Sequence, residues 1–187
     1  TGLSISRRIL DAAIAQAAEA AGATLLERTA VEELLYDRGA VGGAVVRDGD
    51  GTRRTIRARL TVGADGLRSI VARRLGRVRH GLPRRLGFVA HLDGVEGMTE
   101  SAEVFVGRQG YAGLNSIGRG RTNVALVVPA ARAAAARGRA ESFFLETLSE
   151  FAPVHGRIQH ASLARGVMVT GPFAASAGRV TADGAAL

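Results

Sequence analysis

Between Arg77 and Arg85 the hydrophobic pattern of this chain changes its period, and that change constrains the fold more than any other feature. Upstream, Ile9, Leu10, Ala13, Ile14, Ala17 and Ala21 recur at helical spacing, which predicts an amphipathic helix over 6–21 with Ser4 or Ser6 as N-cap and Gly22 as stop. A short strand is expected at 24–26, and further strands at 31–36, 40–47 and 52–60, the last two joined by the turn Asp48-Gly49-Asp50-Gly51. An apolar run from Leu60 to Ala64 then enters Asp65-Gly66, and 67–75 reads as a helix closed by Gly76. That is a strand, a turn and a helix, and the strand is expected to be buried.

Downstream the period falls to two. Leu86, Phe88, Ala90 and Leu92 alternate with Gly87, Val89, His91 and Asp93; Val104 with Val106 repeat the pattern, and 123–128 continue it. Such alternation predicts strands of an antiparallel sheet with one buried face. The stretches 130–136 and 140–151 read as helices, the second burying Phe143, Phe144, Leu148 and Phe151, and 163–170 as a last strand before Gly171-Pro172. The basic stretch 77–85, with Gly81 and Pro83, reads as the crossing between two domains.

At 187 residues and 47% hydrophobic content the chain can bury a real core. Its net charge of +8 rests entirely on arginine, for there is no lysine. The arginines are spread along the chain, with few aromatics between them, so a solvated basic surface is expected and a nucleic-acid footprint is not. With no cysteine, disulfides, thiolate zinc sites and a cysteine nucleophile are excluded. No run reaches the length of a membrane span and no signal peptide leads the chain, so a cytoplasmic protein is the expectation.

Three segments carry candidate chemistry. Ser4-Ile5-Ser6-Arg7-Arg8-Ile9-Leu10-Asp11 opens the first helix, where a guanidinium fork and a helix N-terminus both favour a phosphate. Ala30-Val31 follows that helix. Gly63-Ala64-Asp65-Gly66-Leu67-Arg68-Ser69-Ile70-Val71-Ala72-Arg73-Arg74-Leu75-Gly76 delivers a carboxylate to a tight turn, with Gly66 permitting close backbone approach and Ser69 able to hold the helix start. In their order these segments resemble those of FAD-dependent oxidoreductases of the aromatic-hydroxylase and geranylgeranyl-reductase type, whose Asp-Gly motif runs G-A-D-G-x-x-S-x-V-R-x-x-L-G. The chain departs from it at Ala72, where the family has arginine.

The resemblance implies an α/β (α+β) fold: a partial FAD-binding Rossmann-like domain with a β-meander over 1–76, an antiparallel-sheet substrate domain covered by helices over 77–180, and the start of a return strand over 181–187. It implies FAD as cofactor and NADH or NADPH as reductant. Arg7 or Arg8 would meet the flavin pyrophosphate, Val31 the adenine through its backbone, and Asp65, Gly66 and Ser69 the ribose side. Gly110-Tyr111-Ala112-Gly113-Leu114 and 118–126 resemble the sheet that roofs the flavin ring, so His91, Tyr111 and Asn115 become candidates for orienting a substrate. No residue is assigned to catalysis. An aromatic or isoprenoid small molecule is the implied substrate, through hydroxylation or double-bond reduction; halogenation fits less well, since the tryptophan halogenases use a lysine. The family's G-x-G-x-x-G and G-D-A-A-G segments are not in these residues, so the isolated chain is expected to be inactive and to hold FAD weakly. A basic non-catalytic domain binding nucleic acid or another polyanion is the alternative.

Overall fold

The computed structural model describes residues 5–82 and 84–187; Ser4, one of the two expected N-caps, and Pro83 lie outside them. Along the chain run α1 (Arg7–Ala20), β1 (Ala30–Asp37), β2 (Ala40–Arg47), β3 (Arg53–Arg57), β4 (Thr61–Val62), α2 (Ile70–Arg74) and β5 (Val78–His80). Next come β6 (Arg85–Asp93), β7 (Glu103–Gly107), β8 (Gly110–Ser116), β9 (Arg121–Pro129), α3 (Ala130–Ala133), α4 (Ala140–Ser149), α5 (Ala152–His155) and β10 (Ser162–Thr170). The short strands β11 (Ala175–Ala177), β12 (Thr181–Ala182) and β13 (Ala185–Ala186) close the chain. It forms two compact units, one of residues 18–82 with 174–187 and the other of 1–17 with 83–173. The result is a mixed α/β protein with several largely antiparallel sheets.

Helix α1 forms where its apolar spacing predicts. The Ser6 carbonyl accepts its first backbone bonds from Ile9 and Leu10, and Gly22 ends it in the left-handed region at φ 93°. Yet none of its residues is buried, and Ile9 and Ile14 are 60% and 59% exposed. The expected strand at 24–26 is absent: nothing pairs with this backbone among the described residues, and Leu25 and Leu26 are exposed.

In the unit of 18–82 with 174–187, β1, β2 and β3 form an antiparallel meander. Its first hairpin turns at Arg38 and Gly39, both at positive φ, the backbone that matches the twist of a tight two-residue loop. A second sheet has the order β12-β13-β4, with β13 and β4 parallel through Ala185 beside Thr61 and Ala186 beside Val62. Here the expectation of a buried strand at 60–64 is corrected. Leu60 and Val62 are 58% and 60% exposed, because β4 has β13 as its one strand partner and nothing covers its outer side among the described residues. The stretch 77–85 is more than a crossing, since β5 within it pairs with β11. The core of this unit is small: Leu34, Val41, Val71 and Ala185, flanked by Leu75, Ala182 and Leu187.

The unit of 83–173 holds the larger core. Its five-stranded sheet has the order β10-β6-β9-β8-β7. Period two sends Phe88, Ala90 and Leu92 of β6, Ala112 and Leu114 of β8, and Val124, Leu126 and Val128 of β9 to one face, where each is at most 1% exposed. Phe143, Phe144 and Leu148 of α4 cover that face with Phe151 and Val154, and the Phe143 ring lies 5.1 Å from that of Phe88. Burying each such side chain contributes roughly 1.5–3 kcal/mol. On β7 the phase is opposite to expectation: Phe105 packs on the core, whereas Val104 and Val106 are 66% and 82% exposed. Val-x-Val and x-Phe-x alternate equally well, and the larger ring takes the buried side.

Candidate functional site

The first candidate site lies at the turn between β4 and α2. Gly66 sits at φ 76° and opens a single 3-10 turn to Arg68, which bends the chain back so that Ser69 starts α2. The Asp65 carboxylate accepts from the Ile70 backbone N–H at 2.6 Å, and Ser69 Oγ accepts from Ala72 N–H at 2.9 Å. Two of the N–H groups that a helix start leaves orphaned are thereby satisfied. Burial pushes the Asp65 pKa up, but hydrogen bonds from Ser69, Ile70, its own N–H and Val71 together outweigh this and hold it below the ordinary carboxylate range.

Beside the turn lies a cleft of about 440 Å³ lined by Gly63, Gly66, Leu67, Ser69, Ser176 and Leu187 among others. Small residues make it possible. A Cβ on Gly63 would fall 2.6 Å from the Val71 Cβ, so glycine lets α2 close on the strand. Asp65, Gly66 and Ser69 are thus brought together as the sequence suggested. Val31 is not part of this cleft; it sits in β1 opposite Val46. Arg7 ion-pairs with Asp11 one turn along its own helix at 2.8 Å with its side chain 81% exposed, and Arg8 is exposed beside it. The turn meets the chemical needs of a ribose hydroxyl: the Asp65 carboxylate is an exposed acceptor beside a cleft with small, partly apolar walls.

The second candidate site is the open face of the five-stranded sheet. Register puts Asn115, Asn123 and His91 in one row across β8, β9 and β6, and a register shift in β10 adds Arg165 next to His91. Asn123 Nδ2 donates to Asn115 Oδ1 at 3.0 Å. One row further, Arg121 Nε and an Arg121 terminal nitrogen grip Asp93 at 2.9 and 3.0 Å. In the opposite direction the face turns apolar, with Val89, Ala125 and Met168 in the next row and Tyr111 beside Val106 beyond it. His91, Asn115 and Tyr111 therefore share one face, which their separation in sequence does not reveal. Burial, then the charges of Arg165 and Arg121, push the His91 pKa down, and Asp93 opposes them. Asn123 and Arg165 were not singled out from sequence, because only the register shows that they extend the His91 row.

With this geometry in place, comparison with known proteins identifies the class. The sequence profile of the FAD binding domain family matches residues 5–162, and the chain belongs to that family of flavin oxidoreductases. Digeranylgeranylglycerophospholipid reductase 2 of Methanothermobacter thermautotrophicus is 30% identical over 131 residues, covering 67% of this chain and 34% of that protein. The myxobacterial chondrochloren halogenase CndH superposes with a TM-score of 0.92 at 16% identity, over 99% of this chain and 45% of its own. A geranylgeranyl bacteriochlorophyll reductase-like protein of Thermoplasma acidophilum superposes at 0.77 and 16% identity, over 96% and 45%. The chain thus spans between about a third and just under half of the length of these relatives. At such identities the two structures share the fold with this chain. Among the described residues no helix is long and apolar enough to cross a membrane.

Proposed function

We propose that this chain is part of an FAD-dependent oxidoreductase that hydroxylates an aromatic molecule or reduces an isoprenoid double bond, with NADH or NADPH as reductant. In this reading the unit of 18–82 with 174–187 belongs to the flavin side and the unit of 83–173 holds the substrate. FAD, when bound, supplies the redox chemistry, and the chain's residues position and discriminate. Asp65, Gly66 and Ser69 would face the ribose side of the cofactor, with Arg7 or Arg8 serving its phosphates and the Val31 backbone its adenine.

The observation that carries the reading is the graded open face of the sheet. A flat or chain-like apolar molecule lies favourably over Val89, Ala125 and Tyr111, while its polar end reaches Asn115, Asn123 and His91. Reduction of an isoprenoid is supported by the kinship to a digeranylgeranylglycerophospholipid reductase. The test uses the full-length protein loaded with FAD, following NADH and NADPH oxidation with panels of phenols and isoprenoid lipids. Substrate-stimulated oxidation that His91→Ala or Asn123→Ala weakens through KM is expected. Oxidation unaffected by either panel, or by both variants, counts against it.

A further inference from the structure

A second cleft in the unit of 18–82 with 174–187 shares no lining residue with the one beside Asp65. Its volume is about 300 Å³, and its walls include Tyr36, Arg77, Arg179, Thr181 and Asp183. The β5–β11 ladder builds it. Val78 pairs with Ala177, and Gly178 N–H donates to the Arg77 carbonyl at 3.2 Å, so Arg77 and Arg179 leave the same end of the ladder. The opposite wall is fixed where Val41 N–H donates to the Asp183 carbonyl at 2.8 Å, holding the β12–β13 turn against the β1–β2 hairpin.

Two guanidinium groups thus line one concavity, and among the described residues neither has a hydrogen-bond or ion-pair partner. Arg77 Nε is moreover buried without an acceptor. A buried N–H normally finds a partner, because leaving it bare forfeits its hydration with no return. The Arg132 Nε is orphaned in the same way, but another Arg132 nitrogen pairs with Glu150, whereas Arg77 has no such carboxylate among the described residues. From the two unpaired guanidinium-bearing side chains and the cavity they line together, we propose that this cleft binds a phosphate group. Planar guanidinium forks match phosphate oxygens, and Tyr36 and Thr181, two hydroxyl-bearing residues, line the same walls. Asp183 sets a limit. Its carboxylate on the rim repels the anion, so the site holds a small excess of positive charge.

The experiment titrates full-length protein with inorganic phosphate and with ribose 5-phosphate at constant ionic strength, by calorimetry and by thermal melting. Arg77→Met keeps the stem and deletes the guanidinium, its buried Nε included. It should leave the melting temperature of ligand-free protein unchanged or raised, while weakening phosphate about tenfold or more. Arg179→Gln should weaken phosphate as well, and Asp183→Asn should tighten it. Arg119→Gln, an exposed arginine of the other unit, should change nothing. Tighter ribose 5-phosphate than phosphate would show that the group arrives as an ester, and equal affinities that the free anion suffices. The proposal is overturned if wild-type protein shows no saturable phosphate binding. It is equally overturned if Arg77→Met lowers the melting temperature at unchanged phosphate affinity, or if Arg119→Gln weakens binding as much as Arg77→Met.

Discussion

Replacing Asp65 by alanine separates what this carboxylate does for the fold from what it does for a cofactor. Helix α2 is only five residues long, so each capped N–H is a large share of its hydrogen bonding. Asp65→Ala removes the acceptor for Ile70 N–H and leaves the Ser69 to Ala72 bond in place. A lost cap costs about 0.5–2 kcal/mol, and the charged, 2.6 Å bond puts this one in the upper two-thirds of that range, about 1–2 kcal/mol. For a chain of this size that corresponds to a melting temperature lower by roughly 2–8 °C. Asp65→Asn keeps one acceptor and should lose less than half as much. The folded-state pKa of Asp65 lies below its unfolded value, so its contribution is complete above the unfolded pKa and is lost as pH falls through the folded one. Asp65→Asn should flatten that acid limb. Circular dichroism melts across acid pH, with flavin titrations on the same samples, read both roles. An Asp65→Ala protein that melts like wild type, or whose acid limb is unchanged, would refute the capping argument.

Other outcomes follow from the same geometry. Arg157 pairs bidentately with Glu103 at 2.9 and 3.0 Å and donates to the Glu96 and Gly97 carbonyls, so Arg157→Ala should lose about 2–3 kcal/mol in denaturant melts. Arg157→Lys should recover little, because an ammonium cannot span that fork. The His91 pKa is depressed in the folded state, so stability should fall as pH drops below the ordinary histidine value; His91→Gln should abolish that part of the pH dependence. Leu126→Ala empties a fully buried position under α4 and should cost about 2–5 kcal/mol by chemical denaturation.

Much of the unit of 83–173 was legible because its sheet has one dry face. The alternation from Leu86 to Leu92, and from Val124 to Val128, records burial against α4 directly. The Asp65 turn was legible as well, since Asp-Gly followed by Ser69 states both the bend and the cap in neighbouring residues. Pairing between distant strands was not. Nothing local tells that Asn123 bridges His91 to Asn115, that β13 lies parallel to β4, or that Arg77 and Arg179 line one cleft. Burial misled at Leu60, Val62 and Ile9, where apolar residues meet no cover among the described residues. At 24–26 a lone apolar segment had no partner for its backbone, and without a partner strand propensity decides nothing.

If this chain works as part of a flavin enzyme, anaerobic stopped-flow reduction of the FAD-loaded full-length protein, read from the flavin's visible absorbance, shows it most directly. Stoichiometric bound FAD that NADH or NADPH bleaches is expected, faster in the presence of a phenolic or isoprenoid substrate, with a weaker substrate response in His91→Ala. A full-length protein that retains no FAD, or whose bound flavin neither nicotinamide reduces, would contradict it.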